Sequence, residues 1–512
     1  MLTICQMPPK TMRKIQEKEG AYYWSALAAN ILRSLGCISV RSAEFQRAES
    51  TKGQTLLITR LSEGEFFDWT QPVVVEAPIS GTVEKVLGLD SGKVIHVDEF
   101  WMVTPGGKEL GRVCRQRVMI KGTDGRTVPA AGSESSWRAP TIPLLHVSLL
   151  SGWDVMLEAR LANGERMPLV LAREATLLLT APLFDVMGGW LGFPPLSARF
   201  AGIAAGLAPV GPLRAVASAI RQFHLERADM PWVEVAPFPS PYSAALTVRH
   251  DYDRPISDAH WEDLLTCYDQ IGIRATIGIL PYLMPFAQIE QIQKRGHEIQ
   301  LHCTGHEEID VRQQLEALRH VAGKTIFGAT IHGGPAGIGF RGDIHFGFFE
   351  TCNLGYAETF GIKEVPATPL ARIVDGVPTA CMHLVAPPSH FSLDGSTRPD
   401  DHRLDNLKRL VPKALARGEY VIVMNHPDIH RPQLLELLST LDMKRVWRAP
   451  VREVVDFRRN TALASLLQST QSTVKILFEN PLSEPASLTI YRRDSRRNVQ
   501  LPAGADSLLV DF

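Results

Sequence analysis

Short apolar segments recur along the second half of the sequence, and amphipathic stretches separate them. Six of these segments have the composition of buried strands: residues 244–248, 275–280, 298–301, 329–331, 382–386 and 420–424. Strands that alternate with helix-like stretches predict parallel β/α units, arranged in an open sheet or a barrel. We therefore expect an α/β fold for this half of the chain.

The first half of the sequence has a more mixed pattern. Residues 22–35 have helical spacing, and residues 54–59 and 72–76 predict buried strands, which together indicate an α/β unit. Residues 153–171 predict a hairpin around Asn163-Gly164, so the later part of this half is β-rich. The unit weakly resembles a flavodoxin or glutamine-amidotransferase sheet. No Gly-x-Cys-x-Gly elbow surrounds Cys5, Cys37 or Cys114, so amidotransferase chemistry is not supported.

Four prolines between residues 231 and 241 predict a boundary between the two halves, because proline cannot continue a helix. We expect an exposed linker there. The predicted division is an N-terminal α/β and β-rich accessory region at 1–235, a barrel at 236–460 and a small C-terminal β domain at 461–512. The last of these has short β-prone pieces separated by turn residues.

The composition excludes several classes of protein. The 512 residues include 54 Lys and Arg against 55 Asp and Glu, so no net positive charge is available to attract nucleic acid or an anionic membrane. The hydrophobic and charged fractions, 45% and 21%, are typical of globular proteins. Seven widely spaced cysteines without a Cys-x-x-Cys pair favour a reducing compartment, so a cytoplasmic location is the expectation.

Three predicted strands of the second half end in side chains that bind metals or move protons. Residues 244–248 lead into Asp251 and Asp253, whose i, i+2 spacing places both carboxylates on one side of an extended chain. Another strand ends in His302, with His306 four residues later, and residues 420–424 lead to His426. Two imidazoles and a carboxylate suit Zn²⁺ and leave a position for water, which is typical of a hydrolase.

These motifs resemble the polysaccharide deacetylase superfamily, also called the NodB-homology or carbohydrate esterase 4 family. The resemblance covers about residues 240–455 and rests on the aspartates at 251 and 253, the run from Gly296 to His306, and the late His426. It implies a distorted (β/α)7 barrel that holds one divalent metal, most readily Zn²⁺. Asp253, His302 and His306 are the implied metal ligands.

The resemblance also implies catalytic roles: Asp251 as the base, His426 as the acid, and Arg341 as the residue that orients the base. His332 is the alternative to Arg341, and His430 competes with His426. The sequence differs from the family pattern, because Arg-His-Asp-Tyr-Asp stands in place of Thr-Phe-Asp-Asp-Gly. The division of roles between the two aspartates therefore stays open.

The implied function is metal-dependent hydrolysis that removes an acyl group, N-acetyl above all, from a sugar or glycan. Two alternatives remain: hydrolysis of another non-peptide amide such as a ureide, and a non-catalytic barrel that binds glycans or serves as a scaffold. The expected partner is a carbohydrate or a small acylated amide, with no nucleic acid and no membrane. Homo-oligomerisation is left open.

Overall fold

The structure of the chain is a computed structural model. It describes residues 2–6, 23–42, 55–59, 70–77, 79, 81–89, 93–114, 119–121, 127–129, 141–147, 152–187, 210–304, 308–323, 326–332, 349–360, 370–374, 377–386, 393, 402–470 and 472–511. Within this part of the chain, no helix is both long and apolar enough to cross a bilayer.

The N-terminal region is built on a nine-stranded mixed sheet. Its strand order is β2-β1-β3-β4-β13-β12-β11-β6-β7, and the first five strands are parallel. A parallel order of 2-1-3-4 followed by a fifth strand is that of flavodoxin-like sheets. The strands are β1 (Leu2–Gln6), β2 (Val40–Ser42), β3 (Thr55–Thr59), β4 (Val73–Glu76), β6 (Glu99–Val103), β7 (Glu109–Cys114), β11 (Asp154–Arg160), β12 (Arg166–Arg173) and β13 (Thr176–Leu179).

The predicted hairpin around Asn163-Gly164 is confirmed, because β11 and β12 pair antiparallel on either side of it. Gly164 has a φ of 86°, a left-handed conformation that glycine adopts without strain. Two-stranded pairs complete this region: β5 (Val94–Val97) with β10 (Ile142–Leu145), and β8 (Met119–Lys121) with β9 (Thr127–Pro129). Its helices are α1 (Tyr23–Ser34), α2 (Gly81–Val86), α3 (Leu183–Met187) and α4 (Val210–Arg227).

In the described residues of the second half, seven parallel strands follow one another in the order β22-β15-β16-β17-β18-β19-β21. Six of the seven were predicted from the sequence; β19 was not. Strand β20 adds an antiparallel edge to β21, and β23 pairs with β15. The bounds are β15 (Ala244–Tyr252), β16 (Thr276–Ile279), β17 (Glu298–Cys303), β18 (Gly328–Ile331), β19 (Tyr356–Phe360), β20 (Leu370–Val374), β21 (Val377–Ala386), β22 (Tyr420–Asn425) and β23 (Val446–Arg448).

One ion pair demonstrates that this sheet curls. Arg249 on β15 lies 3.0 Å from Glu358 on β19, measured from Nη1 to Oε2. Four strand spacings separate β15 from β19, which is roughly 19 Å in a flat sheet. Two side chains cannot bridge that distance, so the sheet must fold around the pair. The predicted distorted barrel is thus confirmed as a curled parallel sheet with an α/β arrangement.

The two faces of the curled sheet differ in chemistry. On β15, Leu246, Val248 and Tyr252 contribute to the apolar core that includes helix residues such as Trp261. Arg249 and Asp251 alternate with them and face the barrel interior, where Arg249 contacts Glu358. The helices given for the described residues of this half are α5 (Asp258–Ile271), α6 (Phe286–Lys294), α7 (Glu308–Ala322), α8 (Arg403–Ala416), α9 (Arg431–Ser439) and α10 (Val451–Leu463).

The proline-rich segment is not the exposed linker that the sequence predicts. Its residues form β14 (Trp232–Val235), which pairs with β26 near the C-terminus, and Trp232, Val233 and Phe238 are buried. The expectation fails because the residues between Pro231 and Pro237 keep the amide groups that a strand needs. The C-terminal strands are β24 (Ser465–Ser469), β25 (Thr473–Leu477), β26 (Ala486–Arg492), β27 (Ser495–Leu501) and β28 (Ser507–Asp511), in the sheets β14-β26-β27 and β24-β25-β28.

Candidate metal centre and catalytic site

Strand alternation directs both aspartates toward the barrel interior. Arg249, Asp251 and Asp253 follow one another at i, i+2 and i+4 along and just beyond β15, so they share one face. The neighbouring strand leaves room for them at Gly278. A Cβ there would lie 3.4 Å from Asp251 Oδ1 and 3.2 Å from the His250 carbonyl oxygen.

The strand register brings His302 level with Asp253. Ile279 of β16 pairs with Tyr252 on one side and Leu301 on the other, so the next residues along all three strands lie in one row. His302 Nε2 lies 3.2 Å from Asp253 Oδ1, and the His302 ring is buried. The structure therefore brings together two of the three metal ligands that the resemblance implies.

The third ligand atom in this cluster belongs to His332, just after β18. Its Nε2 lies 3.4 Å from Asp253 Oδ2, and its ring meets that of His302 edge to face at 5.1 Å. One ligand atom from each of Asp253, His302 and His332 lies within 4.8 Å of the others. His306, the sequence-predicted third ligand, is outside the described residues and stays a prediction.

The cluster fits a divalent cation on two grounds. Asp253 Oδ1 is buried, has no hydrogen-bond partner among the described residues and lies 3.2 Å from His302 Nε2, so it is available as a ligand. Among the described residues of this interior, the carboxyl groups of Asp251, Asp253 and Glu358 outnumber the guanidinium of Arg249. A His₂Asp set in these acidic surroundings suits Zn²⁺.

The Asp253 carboxyl is kept ionised by its neighbours. Burial alone would raise its pKa, but the imidazoles of His302 and His426 outweigh that effect and hold the pKa well below its usual range. An ionised carboxylate is the form that binds a cation.

Asp251 is held by an arginine that sequence reasoning did not single out. Arg249 Nη2 donates to Asp251 Oδ2 at 2.8 Å, while Nη1 donates to Glu358 Oε2 at 3.0 Å and to Thr330 Oγ1 at 2.7 Å. Arg341, the predicted orienting residue, lies outside the described residues. His332, the alternative, lies beside Asp253 and His302. The available signal was a charged residue inside an apolar strand, two positions before Asp251.

His426 reaches the same cluster from the end of β22. Its Nε2 lies 3.0 Å from Asp253 Oδ2 and donates to that carboxylate. The competing residue, His430, is fully buried, and its Nδ1 accepts the backbone N–H of His426 at 3.1 Å. His430 therefore supports the loop that carries His426, whereas the His426 ring remains partly exposed.

A second polar layer lies deeper in the barrel. The Glu298 carboxylate accepts hydrogen bonds from Thr276 Oγ1 at 2.9 Å, Tyr356 OH at 2.8 Å and the Arg452 backbone N–H at 2.9 Å. Burial raises the pKa of Glu298 to about 7, although these donors oppose the shift. Thr276, Glu298 and Tyr356 are the first residues of β16, β17 and β19, so this polar layer lies below the metal cluster, at the amino ends of the strands.

No protein-family model and no curated protein matches the chain. Solved structures do match part of it. They include polysaccharide deacetylases and family 4 carbohydrate esterases. A Mycobacterium smegmatis protein described as a polysaccharide deacetylase is 17% identical, over 43% of this chain and 92% of that chain, with a TM-score of 0.36.

Two further matches show the range of these neighbours. A family 4 carbohydrate esterase from Streptomyces lividans, in complex with acetate, is 12% identical over 41% of this chain and 93% of that chain, with a TM-score of 0.28. A family 4 pseudoenzyme from Bacillus anthracis is 10% identical over 43% of this chain and 67% of that chain, also at 0.28. The matched share is under half of this chain, as is the segment that carries the sequence resemblance.

Proposed function

We propose that the chain is a metal-dependent hydrolase that removes an acyl group, N-acetyl above all, from an amino sugar or glycan. The observation that carries this proposal is the position of Asp253. Its carboxylate contacts His302, His332 and His426 from three other strand ends, next to the Asp251 that Arg249 holds. Active sites of parallel β/α barrels are assembled at these carboxyl ends.

The residues present divide into a ligand set and a proton-transfer pair. Asp253, His302 and His332 would hold the cation, which when bound supplies Lewis acidity toward the acyl carbonyl. Arg249 contacts both Asp251 and Glu358 and so holds the Asp251 carboxylate in place. Asp251 would accept a proton from the attacking water molecule. His426 is placed to donate a proton to the departing amine.

The proton-transfer pair favours an enzyme over a scaffold. A barrel that only binds a cation needs Asp253 and the histidines, but it has no need of a second interior carboxylate with its own arginine. Burying Asp251, Arg249 and Glu358 together is costly unless their contacts are maintained. This supports hydrolysis rather than glycan binding alone.

The test is acetate release from acetylated amino sugars and short glycans by the full chain loaded with Zn²⁺. We expect release by the unsubstituted protein. Asp251→Asn should retain zinc while losing at least about a hundredfold in turnover, because general base catalysis contributes that much. Asp494→Asn, on the exposed turn between β26 and β27, is the matched control.

Three outcomes would contradict the proposal. If the zinc-loaded protein releases no acetate from any of these sugars, the proposed deacetylase function is wrong. Release of ammonia from ureides would then support the alternative of ureide hydrolysis. If Asp251→Asn loses zinc while Asp253→Asn retains it, the roles of the two aspartates are exchanged. If Asp251→Asn is as active as Asp494→Asn, Asp251 is not the base.

A further inference from the structure

The hydroxyl group of Tyr356, below the metal cluster, has more acceptors beside it than it has protons. Its oxygen lies 2.8 Å from Glu298 Oε1 and 2.8 Å from Gln300 Oε1, and all three side chains are buried. A hydroxyl group has one proton to donate and accepts through its oxygen. One of the two contacts therefore needs a proton that Tyr356 does not supply.

The orientation of the Gln300 amide excludes it as the second donor. Gln300 Nε2 and Asp251 Oδ1 both lie 3.4 Å from the position that a Cβ on Gly278 would take, so the N–H end of the amide and the candidate base border the same small space. Burial raises the pKa of Glu358, and Arg249 and the Gln300 amide oppose that rise, as N–H groups near a carboxylate do. Turning the amide would place its oxygen beside these carboxyl groups instead.

Glu298 remains as the source of the second proton. Its Oε2 accepts from Thr276 Oγ1 and from the backbone N–H of Arg452 at the start of α10, both at 2.9 Å. Its Oε1 is left for Tyr356. Burial raises the pKa of Glu298 to about 7, so the protonated form predominates in the folded chain below that pH. A proton on Glu298 Oε1 is donated to the Tyr356 oxygen, and the Tyr356 proton is then free for Gln300.

Ionisation of Glu298 changes the direction of this hydrogen-bonded chain. A carboxylate is a stronger acceptor than an amide oxygen, so it takes the Tyr356 proton, and the Gln300 oxygen loses its donor. The Gln300 amide is then no longer held with its N–H end on the side of Asp251. The protonation state of Glu298 thus affects the surroundings of the candidate base through two intervening side chains.

We infer that Glu298 is a positioning residue for the base Asp251 and that it performs this role only while it carries a proton. It acts through Tyr356 and Gln300 and does not touch the reacting atoms. The inference rests on the proposed function, because Asp251 is a base only if the barrel is a hydrolase.

The ionisable side chains that border Glu298 come from β15, β19 and β22. Tyr356 and Tyr420 keep their protons near neutral pH, because burial raises the pKa of both well above 10. Glu358 opposes the ionisation of Glu298, and Arg249 lies against Glu358 at 3.0 Å. All of these groups are present in the unsubstituted protein and in a Glu298 variant alike. A ratio of turnover numbers between the two proteins therefore isolates the effect of Glu298.

The test compares turnover across pH in three zinc-loaded proteins. Acetate release from a saturating acetylated amino sugar is measured from about pH 6 to 8.5 for the unsubstituted protein, Glu298→Gln and Tyr356→Phe. The amide in Glu298→Gln donates at every pH, so the ratio of its kcat to that of the unsubstituted protein should rise about two- to tenfold across this range, the worth of one hydrogen bond. Tyr356→Phe breaks the chain and should stay about two- to tenfold below Glu298→Gln throughout.

Unfolding measures the proton on Glu298 without any substrate. The folded chain keeps this proton up to about pH 7, whereas the unfolded chain releases it near pH 4.5. Because of this group, the folding equilibrium constant should fall by up to about tenfold per pH unit between these values, and Glu298→Gln should lack that fall. Glu316→Gln, at an exposed position on α7, is the matched control and should keep the slope of the unsubstituted protein.

Two results would overturn the inference. Equal pH slopes of unfolding for Glu298→Gln and the unsubstituted protein would show that Glu298 is already ionised in the folded chain. A kcat ratio that stays constant across the pH range would show that the proton has no effect on the base, since a side chain that only fills space changes kcat by the same factor at every pH.

Failure of the proposed function gives a different pattern. If none of the three proteins releases acetate, the deacetylase is rejected, and the role of Glu298 toward Asp251 is rejected with it. The unfolding slopes alone then decide whether Glu298 carries the proton. Acetate release by the unsubstituted protein with a constant kcat ratio keeps the deacetylase and rejects the positioning role.

Discussion

Arg249 bridges Asp251, two residues ahead on its own strand, and Glu358, four strands away around the barrel. The bridge links the candidate base to the curl of the sheet, because Arg249 can reach Glu358 only when β15 and β19 face each other. All three side chains are buried. The orientation of Asp251 is therefore a property of the whole barrel rather than of one loop.

Removing Arg249 should destabilise the fold. Arg249→Met leaves Asp251 and Glu358 as unpaired buried carboxylates, and breaking a buried ion pair in this way costs about 3–5 kcal/mol. Denaturant titration should show this loss. Glu358→Gln in the same chain should recover part of it, because one unpaired charge is then removed.

Arg249→Lys is the control that separates the charge of Arg249 from the shape of its guanidinium. Arg249→Lys keeps the charge but cannot contact both carboxylates with a planar fork, so we expect a stable chain with reduced turnover. Equal stability of Arg249→Met and the unsubstituted protein would mean that the buried bridge contributes nothing to folding.

The third metal ligand can be decided between His332 and His306. We expect His302→Ala and His332→Ala to lose zinc retention, since each removes one of the clustered ligand atoms. Elemental analysis after dialysis measures this, and His320→Ala, at an exposed position on α7, is the control. Full zinc in His332→Ala together with an empty His306→Ala would instead support the ligand set implied by the sequence resemblance.

Strand ends were predictable from the sequence, whereas contacts across the barrel were not. The apolar runs at 244–248 and 298–301 located β15 and β17, and the side chains that follow them converge as expected. Arg249 and Glu358 are 109 residues apart, and only the curl of the sheet brings them together. No local pattern encodes that curl.

The proline segment shows a second limit of local patterns. Prolines 231, 237, 239 and 241 correctly indicate that no helix continues there, but they do not reveal what the intervening residues bind. Val233 and Val235 pair with Ile490 and Leu488 of β26, more than 250 residues later. Burial of Val233 and Val235 depends on that distant strand, because they share one apolar core with Leu488 and Ile490.

The start of the barrel unit can be tested by truncation. A chain of residues 229–512 keeps β14, whereas one of residues 236–512 lacks it and exposes the edge of β26. Val233 and Val235 are buried in the core that contains Leu488 and Ile490, and each large apolar side chain contributes about 1.5–3 kcal/mol. We expect the longer chain to unfold at higher denaturant concentration.

A point substitution in the longer truncated chain is the direct control. Val233→Asp should weaken the β14–β26 contact without changing chain length, so it should lower the unfolding midpoint of the 229–512 chain toward that of the 236–512 chain. Identical melting of the two truncated chains would mean that β14 belongs energetically to the N-terminal region, as the predicted boundary at residue 235 implies.

Stability should fall in acid partly because of His224. Its Nδ1 contacts Thr55 Oγ1 at 2.8 Å, and burial lowers the pKa of the imidazole to about 3. The unfolded chain binds this proton near pH 6.5 and the folded chain does not. The free energy of unfolding therefore decreases as pH falls from about 6.5 toward 3, by about 1.4 kcal/mol per pH unit for this group.

His224→Gln removes the titrating group and keeps a hydrogen-bonding side chain, so the loss of stability between pH 6 and 4.5 should be shallower than in the unsubstituted protein. Urea titrations at several pH values measure the two slopes.

Other buried groups titrate in the same range but affect both proteins equally. His250 and His297 have pKa values that burial lowers to about 3 and about 4, and their effect on stability has the same sign as that of His224. Glu298, with a pKa near 7, contributes the opposite sign to both between pH 4.5 and 7. Parallel curves for the two proteins would show that His224 is protonated in the folded chain, because only a group with different proton affinities in the two states can change the slope.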